Sequence, residues 1–406
     1  MRFKITAFIF TFSIAISAQN ISGSWIGQIH DGLHIVFNFL RDSNGKEICT
    51  MDSPDQSYKG IRASLLFIST DSVSIYVPVG KISYKGKLSN KEIRGIFSQN
   101  GTDLKMNLKA GTLEYKRPQN PTKPYPYSTE EVTFINQGAN VALSGTITYP
   151  IGYREGDKIL IVLMVTGSGP QNRDNELYGH KQFLVIADFF ARNGIATLRY
   201  DDRAVGKSTG KYQAPTTKEV ADDAQSGLEF LRRKKQFSKV GILGHSEGAN
   251  VAFMLGSKKL IDFAISMAAM GIKGDEGLYE QAKKIAEISG QEFSMSKEQF
   301  RKSLLDLQNS WFNFFLDYDP TFDIQNTVCP VFAINGGKDL QVISSTSISA
   351  IENNMPKNGK SQVKVYPGLN HLFQECITGL PSEYSNIEQT ISPVVLKNMV
   401  DWIKGL

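Results

Sequence analysis

The residues Val240-Gly241-Ile242-Leu243-Gly244-His245-Ser246-Glu247-Gly248-Ala249-Asn250-Val251-Ala252-Phe253-Met254-Leu255 decide how this chain is read. The run Val240 to Leu243 is short and apolar, as in a strand covered on both faces, and a helix starts at Ala249 with no loop between. Gly244-His245-Ser246-Glu247-Gly248 joins them, a Gly-x-Ser-x-Gly pentapeptide. A serine on so sharp a turn presents its hydroxyl clear of the backbone, and small flanking residues let the two segments approach. A second match, Gly206-Lys207-Ser208-Thr209-Gly210, has the wrong surroundings. Its preceding apolar run ends at Tyr200, and Pro215 blocks an immediate helix. The same segment mimics a phosphate loop but has Asp201 where that pattern needs glycine. Ser246 is the candidate nucleophile.

Outward from this turn, apolar runs alternate with helical stretches. Residues 159–165 (Ile159-Leu160-Ile161-Val162-Leu163-Met164-Val165) are continuous, and shorter runs follow at 195–200, 263–267, 331–334 and 363–366. Ahead of them, 132–135 and 141–149 alternate with period two, as an antiparallel pair does. Thr216 and Glu219 form a capping-box signature before Val220, Ala224, Leu228 and Leu231. This alternation over 128–406 predicts an α/β domain with a mostly parallel sheet. It lapses at about 271–323, where an amphipathic, aromatic-rich stretch reads as a helical lid. Trp311, Phe312, Phe314, Phe315 and Tyr318 cannot all share one helical face. Some of these rings should therefore face a substrate pocket, with Phe312 and Phe315 as the candidates.

A serine nucleophile needs a base, an acid to orient it, and donors for an oxyanion. Of the five histidines, His30 and His34 lie in the N-terminal part, His245 sits on the turn itself, and His180 precedes Ser246. In α/β sheets bearing this turn the order is serine, acid, histidine, which leaves His371, in the loop after the last predicted strand. The strand at 331–335 runs into Gly336-Gly337-Lys338-Asp339, so Asp339 emerges at the C-terminal edge of the sheet and is the candidate acid. The N–H of Glu247 is one oxyanion donor by position. The glycine-rich loop Thr166-Gly167-Ser168-Gly169-Pro170 is the source of a second, assigned to Ser168.

Residues 1–18 read as a secretory leader. Arg2 and Lys4 precede an apolar run, Ile5 to Ile16, too short to span a bilayer, and small residues lead to a cleavage point after Ala18. An exported protein, periplasmic or secreted, with no membrane span is expected. From 19 to 113 the pattern is period two, as in Ile35, Phe37, Phe39 and Val73, Ile75, Val77, with turns such as Gln99-Asn100-Gly101. This predicts a small antiparallel all-β domain of seven or eight strands, barrel or sandwich. Pro118, Pro121, Pro124 and Pro126 then place a stiff linker at 114–127.

The whole chain, 406 residues, suits two domains. Lys plus Arg is 45 against 40 for Asp plus Glu, and the one basic cluster, Arg232-Arg233-Lys234-Lys235, falls at a helix end, so no nucleic-acid partner is expected. Cys49, Cys329 and Cys376 are too few and too scattered for a disulfide framework or a metal site, and neither metal nor cofactor is expected.

These residues resemble the α/β-hydrolase superfamily, and within it bacterial exported esterases of the serine aminopeptidase-like group that carry an N-terminal β domain. The resemblance is carried by the loop from Thr166 to Asp174, by Tyr200-Asp201-Asp202-Arg203-Ala204-Val205-Gly206-Lys207-Ser208, by the Ser246 turn, by Asn335-Gly336-Gly337-Lys338-Asp339-Leu340-Gln341-Val342 and by Asn370-His371-Leu372-Phe373. It implies carboxylesterase activity on small-molecule esters of small or medium acyl chains. Many relatives have histidine where this chain has Thr166, which leaves open what supports the oxyanion loop. Two other readings stand beside it. One is aminopeptidase-like or thioester hydrolysis on the same triad; the other is a glycan- or lipid-binding protein whose hydrolase domain is inert.

Overall fold

The computed structural model describes residues 21–406, apart from 30–32, 43, 44, 57, 69, 70, 90 and 212–214. The expected leader, 1–18, lies outside the described residues. The chain divides into two compact units between Glu114 and Tyr115.

The first unit is a closed antiparallel barrel. Its strands are β1 (Gly23–Gln28), β2 (His34–Arg41), β3 (Glu47–Ser53), β4 (Tyr58–Ile68), β5 (Ser72–Val77), β6 (Ile82–Ser89), β7 (Glu92–Gln99) and β8 (Thr102–Ala110). Each pairs with the next, and β1 closes the ring on β8, Trp25 opposite Ala110. Alternation decides which side chains enter: Val73, Ile75 and Val77 of β5 are all buried, with Phe37, Tyr84 and Phe97 beside them. Gly86 and Gly95 face each other across β6 and β7, and a Cβ on Gly95 would stand 2.6 Å from the Tyr84 ring. The absence of two side chains makes space for that one ring, whose hydroxyl lies 3.1 Å from the carbonyls of both Ile93 and Met106.

The second unit is built on a sheet of β9 (Thr129–Asn136), β10 (Val141–Thr148), β11 (Ile159–Val165), β14 (Ala196–Tyr200), β15 (Phe237–His245), β16 (Ala264–Met267), β17 (Val331–Gly336) and β18 (Gln362–Tyr366). A two-residue pair, β12 (Glu176–Leu177) with β13 (His180–Lys181), stands apart from it. The order is β18-β17-β16-β15-β11-β14-β10-β9, with β9, β10 and β14 paired antiparallel and every other pair parallel. Helices α1 (Gln182–Arg192), α2 (Thr217–Arg233), α3 (Glu247–Ser257), α8 (Ser344–Asn354) and α9 (Pro393–Lys404) cover both faces. Strand β11 shows why its sequence is apolar throughout. Ile161, Leu163 and Val165 pack with Leu228 of α2 and Val251 of α3, whereas Val162 and Met164 pack with Phe190 of α1 and Met399 of α9.

The chain passes from β11 outward to β14, then returns through α2 to β15 on the other side of β11. At such a reversal the loops leaving the strand ends part, and a crevice opens beyond their carboxyl ends. The excursion between β16 and β17 comprises α4 (Gly274–Ile288), α5 (Lys297–Leu305), α6 (Ser310–Phe315) and α7 (Thr321–Asn326).

The proline-rich segment expected as a linker is laid down within the second unit instead. Arg117 donates to the carbonyls of Tyr178 and Ser385 at 2.9 and 2.8 Å, Gln119 to that of Ile391 at 2.8 Å, and Asn120 to that of Gly179 at 2.8 Å. Proline keeps a chain out of a sheet because it lacks an N–H, but it does not stop neighbouring polar side chains from docking.

Candidate active site

Strand β15 ends at His245 and α3 begins at Glu247, leaving Ser246 alone in the turn with φ 56° and ψ −121°. A non-glycine residue in that region costs on the order of 1–3 kcal/mol and persists only where its surroundings impose it. Here they do. The Ser246 N–H donates to the Met267 carbonyl of β16 at 2.8 Å. A Cβ on Gly244 would lie 1.9 Å from the Gly248 carbonyl oxygen, and one on Gly248 would lie 2.2 Å from that of Val165. Both glycines of the pentapeptide are thus required by backbone packed on backbone. The other candidate serine, Ser208, is buried and bound structurally, donating to the Asp201 carbonyl at 2.7 Å and accepting from the Ser144 N–H at 2.9 Å.

Asp339 leaves the end of β17 and His371 the loop after β18, and their side chains meet at 2.8 Å, Nδ1 to Oδ2. The other carboxylate oxygen accepts the N–H groups of Gln341 and Val342 at 2.8 and 2.9 Å, so the acid cannot swing away. A carboxylate only accepts, so the neutral imidazole carries its proton on Nδ1 and presents a lone pair on Nε2. The His371 loop is drawn to the turn by the residue before Ser246. His245 Nε2 lies 3.0 Å from the His371 carbonyl, and the two rings stand 4.8 Å apart. Burial, aided by the neighbouring His371, pushes the His245 imidazole down to about 3, so it is neutral with its Nε2–H given to that carbonyl.

Val165 pairs with Gly244 in register, and this brings the loop after β11 against the turn. Gly167 is the closest approach: a Cβ there would stand 3.1 Å from Ser246 Cβ. Two adjacent acids hold the loop in place. Asp202 accepts the Gln171 N–H at 2.9 Å and the Thr166 hydroxyl at 3.0 Å, and Asp201 accepts the Arg173 N–H at 2.9 Å and its guanidinium at 2.7 Å. Thr166 is therefore tied to the loop's support through its hydroxyl. Burial pushes the Asp202 carboxyl up to about 8, with the charges of Asp223 and Glu247 adding to the effect and the two hydrogen bonds opposing it. The Glu247 N–H is the first of α3, one of the donors a helix start leaves without an intrahelical partner.

Residues 225–378, which contain Ser246, Asp339 and His371, match the family model described as "BAAT / Acyl-CoA thioester hydrolase C terminal". The chain is 27% identical over 261 residues to esterase EstD of Thermotoga maritima, spanning 61% of this chain and 61% of that protein. Among solved structures it is similar to the Pyrococcus furiosus esterase Pf2001, with 17% identity, TM-score 0.48, and 73% of this chain and 98% of that one covered. It is also similar to Est1E of Butyrivibrio proteoclasticus with ferulic acid bound, with 14% identity, TM-score 0.48, and 68% and 98% covered. The family match coincides with a strand order and a serine turn of one architecture. The second unit has the α/β-hydrolase fold.

Within this fold the aromatic rings of the excursion divide. Phe315 is buried with Met270 and Val342 and stacks on Trp311 at 4.7 Å, whereas Phe312 is half-buried with its ring 4.9 Å from that of Trp311. Trp311 reaches further and donates its indole N–H to the Glu247 carboxylate at 2.8 Å. The sequence pattern assigns a role only to the backbone of Glu247 and passes over His245 because it sits on the turn itself. The signal for both was their place beside the serine; what hid them is that their partners lie far away in sequence, at 217, 311 and 371.

Proposed function

We propose that this hydrolase cleaves carboxylic esters through an acyl-enzyme, with Ser246 as nucleophile, His371 as general base and acid, and Asp339 as its orienting acid. The observation that carries the reading is the Asp339–His371 pair, anchored by two backbone amides and drawn to the strained serine turn by His245. Ser246 gives its hydroxyl proton to His371 Nε2 while its oxygen attacks the carbonyl carbon. The oxyanion so formed takes hydrogen bonds from the Glu247 N–H and from the loop after β11, for which Ser168 is the assigned donor. Collapse expels the alcohol, protonated by His371, and water repeats the sequence on the acyl-enzyme. Small or medium acyl chains suit the aromatic excursion, with Phe312 at the pocket wall. Cleavage after Ala18 would make this an exported enzyme.

Thioester hydrolysis is the second reading, favoured by the family model that covers the serine, acid and histidine. The same acyl-enzyme serves both, so the leaving group is decided by substrate. Nitrophenyl esters, acyl-CoA thioesters and aminoacyl anilides offered to the purified protein separate the readings. A fluorophosphonate should label Ser246, and Ser246→Ala should lose label and at least roughly a thousandfold in turnover. Turnover that survives Ser246→Ala, or a parent inert to all three classes, would overturn the proposal.

A further inference from the structure

Glu247 is buried although its side chain is a carboxyl, one residue past the serine. Two donors from two separate elements converge on it. The Thr217 hydroxyl, in the first turn of α2, donates to Oε1 at 2.5 Å, and the Trp311 indole N–H, from α6, donates to the same oxygen at 2.8 Å. Burial raises its pKa and these bonds oppose the rise.

The position of the two donors gives the cluster its meaning. Glu247 is one of the two residues whose N–H groups the proposed mechanism assigns to the oxyanion, and its side chain is held from α2 and from α6. One of these donors belongs to the excursion. Trp311 is set by Asn309, whose side chain caps its N–H at 2.8 Å, and by stacking on Phe315. An indole N–H has one proton to give and a half-buried ring needs a partner for it, so Trp311 and Glu247 satisfy each other. A carboxyl out of water that loses a donor must find another or move, and here its movement shifts the backbone of α3's first residue.

Resting on the acyl-enzyme reading, we infer that the Glu247 side chain is a positioning residue that couples the seating of α6, through Trp311, to the geometry of its own oxyanion-donating N–H. The excursion then acts on the chemical step and not only on the acyl pocket.

The test uses the full chain with nitrophenyl acetate and nitrophenyl octanoate. Trp311→Phe keeps the stacked ring and deletes only the N–H. The expected result is a fall in kcat of roughly tenfold, alike on both esters, with KM within about twofold and an unchanged melting temperature. Glu247→Leu should lose at least as much, Glu247→Gln, which keeps an acceptor oxygen, should recover most of it, and adding Trp311→Phe to Glu247→Leu should cost little more. If Glu247→Leu does not fold, Trp311→Phe and Glu247→Gln still decide the matter. A Trp311→Phe variant with intact kcat on acetate, or with a change only in KM or in the ratio between the two esters, overturns the coupling while leaving the acyl-enzyme standing. A parent that neither turns over esters nor takes a fluorophosphonate overturns both.

Discussion

Gly167 shows how little freedom the site has at the scale of one residue. A methyl group there would press on Ser246 Cβ at 3.1 Å, so Gly167→Ala must displace the loop by a few tenths of an ångström. Ser168, the proposed second oxyanion donor, sits on that loop, and kcat should fall roughly tenfold with KM little changed, read from steady-state kinetics on a nitrophenyl ester. Asp202 makes a prediction of another kind. Its folded carboxyl is raised to about 8, from about 3.9 when unfolded, so the folded chain holds this proton more tightly. The stability this adds is complete below the unfolded value and is lost as pH rises to about 8. Asp202→Asn cannot titrate and should flatten the fall in melting temperature across that window; parallel curves for variant and parent would contradict it. The serine turn was legible because its demands are local: two glycines, a strand before, a helix after. His245 was not, because the carbonyl it holds belongs to His371, and no local pattern joins the two.

Among the elements, the four helices between β16 and β17 carry the sharpest division of labour. Phe315 is enclosed by Met270 and Val342, and Phe315→Ala should cost about 3 kcal/mol in denaturant unfolding. Phe312 is half-buried, and Phe312→Ala should instead leave the unfolding midpoint nearly unchanged while altering the ratio of kcat/KM between acetyl and octanoyl esters. Equal destabilisation by both, with an unaltered ratio, would make both rings core. Ring spacing established that these aromatics face different ways. It could not say which way, because Met270 follows β16 and Val342 follows β17, and their meeting over Phe315 depends on two parallel strands lying side by side. The sheet strands were easier to read, since burial on both faces leaves its mark on every residue of a run such as β11.

For the whole molecule, the boundary between units is the testable quantity. A chain starting at Tyr115 retains the bonds of Arg117, Gln119 and Asn120, whereas one starting at 128 loses them. Each such bond is worth about 1 kcal/mol, so the shorter chain should melt roughly 5 °C lower, by calorimetry, while both take a fluorophosphonate. Equal melting temperatures would show the segment to be passive. Its prolines were legible as a break in pattern; the docking was not, since the carbonyls that receive it belong to loops near 178 and 385–391. The barrel carries one further consequence, through its closure of β1 on β8. Pairing the first strand with the last means that no shorter piece of this unit has all its backbone groups satisfied. As the chain emerges from a ribosome or a translocation pore, β1 must wait for residues 109 and 110. Until they arrive the growing sheet has two open borders, and keeping those borders apart from other chains becomes a problem of timing rather than of final stability.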